Sequence, residues 1–166
     1  PLVRSAQQAA AIVAAAKYPP VGQRGLAGGR AQGYGYGPAM KDYIGQANTK
    51  TAAIVMVEEG DGLQAVEEIA AVPGLDGIFV GPGDLGLTLV GQFGIDPGHP
   101  VVADAIRTIV KKTRAAGKVA GIWCPSAQVA LEMRELGYQF LTIASDARLL
   151  AAASKQAIAA VRESVV

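Results

Sequence analysis

A chain of 166 residues, 51% hydrophobic and only 17% charged, can bury a core and is too apolar for a disordered tail, so one domain over residues 1–166 is expected. With 15 basic against 14 acidic residues the net charge is +1, which excludes the broad positive field that a nucleic-acid partner requires. The single cysteine, Cys124, excludes an internal disulfide framework and multi-cysteine zinc patterns. It suits a reducing compartment, so a cytoplasmic address is expected.

No apolar run approaches the roughly 20 residues of a membrane span. The Ala-rich opening "QQAAAIVAAAKYPP" has neither the basic region nor the cleavage pattern of a signal peptide, and no membrane partner is expected. Pro1-Leu2-Val3 reads as entry in mid-element, at the end of a strand. Ser5 with Gln8 three residues later forms a capping box for a helix through "AQQAAAIVAAAK", which Pro19-Pro20 stop. Residues 19–50 form a Gly-rich loop region, with seven of the 21 glycines between 21 and 37 and a short helix around "AMKDYIGQAN".

Beyond Lys50 the pattern becomes regular. "AAIVMVE" reads as a buried strand and "GLQAVEEIAAVPG" as one helix with Leu63, Val66, Ile69 and Ala70 on its inner face. "GIFVG" is the next strand, and Pro100 starts a helix with Val102, Ile106, Ile109 and Val110 as its stripe and Lys111, Lys112 and Arg114 in its last turn. "VAGIWC" is a third strand, followed by a helix capped by Ser126 that carries Val129, Ala130, Met133 and Leu136. "QFLTIA" is a fourth, and Asp146 is expected to cap a last helix with Leu149, Leu150, Ala153 and Ile158 on its apolar side. Apolar strands alternating with amphipathic helices specify an α/β fold with a parallel sheet.

An open doubly wound sheet and a closed (β/α)8 barrel both satisfy this order. A whole barrel needs about 200 to 250 residues, which on length favours the open sheet. Neither G-x-G-x-x-G after a strand nor G-x-x-x-x-G-K-[ST] occurs, so both nucleotide motifs are excluded.

In either architecture ligands bind at the carboxyl ends of the strands. Glu58 ends "AIVMVE" and Asp84 follows "GIFVGPG"; if the two strands are neighbours their ends lie about 5 Å apart. Two carboxylates converging there repel unless one is protonated or a cation lies between them, and a hard divalent ion such as Mg²⁺ or Mn²⁺ suits that pair. Gly83 lets backbone approach a ligand, and the amides after Pro82 suit a carboxylate. The structural alternative carries equal weight on spacing alone: Asp84 caps a short helix and Glu58 is a solvated strand-end acid.

"KYPPVGQRG", "VMVEEGDGLQAVEEIAAVPGLDGIFVGPGDLG", "PGHPVV", "RAAGKVAGI" and "LGYQFLTIASDARLL" in that order resemble the HpcH/HpaI aldolase family over nearly the whole chain. The family includes 4-hydroxy-2-oxoheptanedioate and 2-dehydro-3-deoxyglucarate aldolases. The resemblance implies a (β/α)8 TIM-barrel type of fold, of which this chain matches the C-terminal half. It also implies a metal-dependent class II aldolase, a carbon–carbon lyase that splits a 4-hydroxy-2-oxo acid into pyruvate and an aldehyde. By position, Glu58 and Asp84 match the metal ligands, for Mg²⁺, Mn²⁺ or Co²⁺. Gly83 matches the residue whose backbone faces the pyruvate carboxylate, and Met56 stands where relatives usually place a substrate-facing Gln. The catalytic base and the enolate-stabilising Arg belong to the family's N-terminal half, so no catalytic residue is assigned within this chain. Two alternatives stand beside this reading: an acyl-CoA lyase of the citrate-lyase-beta type, and a non-catalytic metal- or oxyanion-binding subunit or remnant.

Half a barrel exposes strand edges and apolar helix faces, so a homo-oligomer or a complementary chain is the expected partner, beside the 2-keto acid. The remaining candidates read as structural. His99 is a loop or cap residue, Cys124 a small buried hydrophobe without an activating neighbour, and Arg24 a pairing residue. Arg30, Tyr34 and Tyr36 are solvated loop residues rather than a lid.

Overall fold

The computed structural model describes residues 1–91 and 99–163. Four strands, β1 (Ile54–Val57), β2 (Gly77–Val80), β3 (Val119–Cys124) and β4 (Phe140–Ile143), form one parallel sheet in the order β1-β2-β3-β4. Consecutive strands are therefore neighbours, each pair joined by a crossover through intervening helices. Those helices are α3 (Gly60–Gln64) and α4 (Val66–Ala70) after β1, α5 (Pro82–Val90) and α6 (Pro100–Ala115) after β2, and α7 (Ala127–Glu135) after β3. The terminal helix is α8 (Asp146–Glu163), while α1 (Ala6–Ala16) and α2 (Met40–Lys50) precede the sheet.

The region expected to be one helix after β1 is two, because Ala65 (φ −86°, ψ 4°) interrupts the helical backbone. Its inner residues nevertheless reach the core, with Val66, Ile69 and Ala70 fully buried. Pro1 to Val3 are not a strand, although the Val3 amide donates to the Met56 carbonyl (3.1 Å) alongside β1. Ser5 caps α1 through the Gln8 amide, but the Gln8 side chain closes on the Arg4 amide (2.7 Å), one residue earlier than a standard capping box. Ser126 caps α7 as expected. At α8 the cap is Ser145, whose hydroxyl accepts from the Arg148 amide (3.3 Å), and Asp146 is already the first helical residue.

One face of the sheet is dry. Val55, Val57, Ile78, Val80, Ala120 and Ile122 point into the layer of helices and are at most 2% exposed. The opposite face carries the row Met56, Phe79, Gly121 and Phe140, set side by side by the strand register. The Phe79 and Phe140 rings meet edge to face at 5.5 Å across Gly121, where a Cβ would lie 2.7 Å from the Phe79 ring. Phe140 is 43% exposed on this face, which the described helices leave uncovered.

The amino ends of the strands are tied by polar contacts. Buried Lys17 donates to the carbonyls of Asn48 (2.9 Å) and Thr51 and lies 3.4 Å from Asp76, whose carboxylate accepts from the Ala53 amide (2.6 Å). Arg24 belongs to the same end: it stacks over Tyr18 at 4.7 Å and donates to the Tyr43 hydroxyl (3.2 Å).

The apolar residues of α8 do not reach the core. Leu149, Leu150 and Ile158, on the apolar side of the helix, are 56%, 70% and 53% exposed. Among the described residues, no helix is long and apolar enough to cross a membrane.

Candidate functional site

Because Val57 of β1 pairs with Val80 of β2, the next residues, Glu58 and Gly81, emerge together at the carboxyl rim of the sheet. Glu58 is only 4% exposed, so it is not the solvated strand-end acid of the structural alternative. Its Oε1 accepts from the Leu2 amide at 2.9 Å, and Oε2 lies over Gly81, 2.3 Å from where a Cβ on that residue would sit. No ion pair to Glu58 occurs among the described residues. A buried carboxylate without a cationic side chain as partner is costly, which fits a donor set intended for a metal ion.

Gly81 precedes α5, and Pro82 takes the helix's first position, where its missing N–H costs nothing. The first helical bond runs from the Leu85 amide to the Gly81 carbonyl (3.0 Å), so the amides of Gly83 and Asp84 have no acceptor within the helix. Gly83 is half-buried at this turn, and Asp84 is exposed in it, its carboxylate favoured by the helix dipole. The Thr88 hydroxyl bonds the Leu85 carbonyl (3.2 Å) and reaches the Glu58 carbonyl at 3.5 Å, tying α5 to the end of β1. Met56 lies two residues before Glu58 on the uncovered face, half-buried. The rim thus gathers Glu58 and the turn that carries Gly83 and Asp84, with Met56 one step deeper on the sheet.

A second acid beside the first is neutralised. Glu59 forms a two-point ion pair with Arg4, Nε to Oε2 and Nη2 to Oε1 at 3.0 Å. The hydrogen bond and the guanidinium charge hold the Glu59 carboxyl below its usual range and raise Arg4. This pair and the Leu2 amide escaped the sequence reading. Residues 2 and 58 meet only through the fold, and nothing in "PLVR" signals a contact with "VEEG".

The other candidates stay away from chemistry. His99 is the N-cap residue of α6 but makes no side-chain cap bond, and its buried Nδ1 has no partner among the described residues; the stretch just before it, 92–98, lies outside them. Cys124 is fully buried, and burial pushes its thiol up, away from reactivity. Tyr34 and Tyr36 are 70% and 97% exposed, and Arg30 is exposed beside them. No group of three or more His, Cys, Asp or Glu side chains suited to a metal occurs among the described residues, so an ion here would rest on two carboxylates plus water or substrate.

Four parallel strands in consecutive order, linked through helices, are the arrangement of part of a (β/α)8 TIM-barrel type of fold. Residues 1–153 match the HpcH/HpaI aldolase/citrate lyase family, and the chain belongs to it. Among its relatives, a hydroxypyruvate/pyruvate aldolase of Chromohalobacter salexigens is 43% identical over 158 residues, which cover 95% of this chain and 61% of that protein. A 4-hydroxy-2-oxovalerate aldolase of Rhodococcus jostii is 38% identical, over 91% of this chain and 57% of its own. The crystal structure of an HpcH/HpaI aldolase/citrate lyase family protein from Burkholderia cenocepacia superposes with a TM-score of 0.87 at 36% identity, covering 98% of this chain and 63% of that one. The chain therefore spans about three fifths of the length of the relatives it matches.

Proposed function

We propose that this chain is the site-bearing C-terminal part of a divalent-metal-dependent class II aldolase that cleaves 4-hydroxy-2-oxo acids to pyruvate and an aldehyde. The observation that carries the reading is the buried Glu58 carboxylate, unpaired with any described cation, set beside the Gly81-Pro82-Gly83-Asp84 turn. The aldolase names of the relatives support it.

In this reading Glu58 and Asp84 hold Mg²⁺, Mn²⁺ or Co²⁺. When bound, such an ion supplies the positive charge that stabilises the enolate left as the carbon–carbon bond breaks. The free amides of Gly83 and Asp84 receive the substrate carboxylate, as the start of a helix is built to do. Met56 presents a thioether to the substrate, a weak acceptor that donates no hydrogen bond and so narrows the polar contacts available. Residues 1–166 act as one partial-barrel domain in the cytoplasm.

Incubating the chain with pyruvate and Mn²⁺ in heavy water, and following the methyl proton signal, tests the reading. Exchange that stops on addition of EDTA is expected, and it should be slow, because the family's base and enolate-stabilising Arg belong to the N-terminal half. A chain that binds Mn²⁺ and pyruvate without exchange would instead favour a non-catalytic binding subunit, and one that binds neither would overturn both readings.

Self-association belongs to the same proposal. The exposed apolar residues of α8 and the uncovered sheet face with Phe140 call for another chain to cover them. Light scattering of the purified chain is expected to give a mass above the 17.0 kDa monomer, and a monodisperse monomer would count against it.

A further inference from the structure

A carboxylate binds an ion more tightly when its oxygens are held in a fixed orientation, and two groups around Glu58 do this. We propose that Gly81 and the main-chain amide of Leu2 are positioning groups for the Glu58 carboxylate, Gly81 by leaving the space that Oε2 occupies and Leu2 by fixing Oε1. The inference rests on the reading of Glu58 as an ion ligand.

Gly81 is not required by its backbone. Its φ of −94° and ψ of 89° lie on the side that residues with side chains adopt, so the left-handed freedom of glycine is not in use. What a side chain lacks there is room. A Cβ would stand 2.3 Å from Glu58 Oε2, 3.1 Å from its Cβ and 3.2 Å from its Cδ. Since Glu58 is buried, its carboxylate has no open solvent to retreat into, and any side chain at position 81 displaces it.

Leu2 shows the converse. Its φ of 57° is a left-handed conformation that disfavours leucine, and its side chain is 48% exposed, so packing does not account for it. The bent backbone delivers its amide to Oε1 at 2.9 Å, while the next amide but one along the segment, that of Arg4, bonds Gln8. One oxygen of Glu58 is thus committed to the protein and the other is placed over the glycine at the start of the α5 turn. Losing such orienting partners typically costs about 10- to 100-fold in metal affinity.

The test measures Mn²⁺ binding to the full chain from the electron paramagnetic resonance signal of the free ion, together with thermal unfolding. Gly81→Ala is expected to weaken Mn²⁺ by about 10- to 100-fold. Gly77→Ala is the control: at the other end of β2 a Cβ would meet the Val119 carbonyl at 2.7 Å, so stability falls while the folded protein keeps its affinity. Leu2→Gly suits the left-handed backbone and retains the donor, so binding stays as in the wild type; Leu2→Pro removes both the donor and the left-handed backbone that aims it, and weakens binding. Wild-type affinity in folded Gly81→Ala, equal losses in the two glycine variants, or equal binding in the two Leu2 variants would each overturn the proposal. Should Gly81→Ala not fold, the Leu2 pair decides. Equal binding by wild type and Glu58→Gln would overturn the ion-ligand reading itself, whereas loss in Glu58→Gln with none in Gly81→Ala would overturn only the positioning role.

Discussion

Replacing Glu58 with glutamine is expected to lower Mn²⁺ affinity by about 100-fold or more, the upper end of what orienting residues alone contribute. The reason is burial. Glu58 is 4% exposed and its Oε1 is bonded to a main-chain amide, so no neighbouring acid can swing in to replace the lost charge, and Glu59 is already held by Arg4. Asp84 is exposed, and water can take its place, so Asp84→Asn is expected to cost less, about tenfold. The same glutamine variant carries a second signature. Without metal it removes a buried charge that has no cationic side-chain partner among the described residues, and its thermal midpoint should rise above that of the metal-free wild type. Added Mn²⁺ should then raise the midpoint of the wild type and leave the variant unmoved. Calorimetry with and without the ion reads both; a variant stabilised by Mn²⁺ as much as the wild type would remove Glu58 from the site.

The second large effect lies in alkaline solution. Tyr138 is 2% exposed, donates from its hydroxyl to the Ile106 carbonyl of α6 (2.9 Å), and is pushed far above its ordinary value by burial and, to a lesser degree, by Cys124. Its folded value exceeds the unfolded value of about 10, so its contribution is fully present below that pH and is lost as pH rises toward the folded value. Above about pH 10 the unfolded chain releases a proton that the native chain must keep, and stability should fall by up to about 1.4 kcal/mol per pH unit. Cys124, raised by the same burial, adds a loss of the same sign from about pH 8.5 upward. Urea unfolding measured from neutral pH to about pH 11 should show this decline, and Tyr138→Phe with Cys124→Ala should flatten it. Tyr138→Phe alone should cost about 1 kcal/mol at neutral pH through the lost hydrogen bond. An unchanged alkaline slope in the double variant would mean that other groups titrate on unfolding.

Strands β1 to β4 were legible because their apolar runs are short and continuous, with β2 and β3 ending at Gly81-Pro82 and Pro125, and the α6 stripe because its inner residues recur at helical spacing. The split between α3 and α4 was not. The apolar periodicity continues unbroken through Ala65, and alanine is not a breaker residue. That some apolar helix face would be exposed followed from half a barrel, but not that it would be α8, since amphipathic pattern records which residues avoid water and not what covers them. At the site, Glu58 and the Gly81 to Asp84 turn could be placed from strand ends alone, because parallel neighbours bring their carboxyl ends to one rim. The Leu2 contact spans 56 positions of chain and left no local trace.

The two ends of the sheet therefore answer to different assays. At the amino ends, Lys17, Asn48 and Asp76 are engaged with backbone and Arg24 with Tyr18 and Tyr43, far along the strands from Glu58. Substitutions there should register as melting temperature and leave ion affinity untouched, whereas those around Gly81 should lower ion affinity. Anyone wishing to harden this scaffold can work at its base and keep the mouth intact.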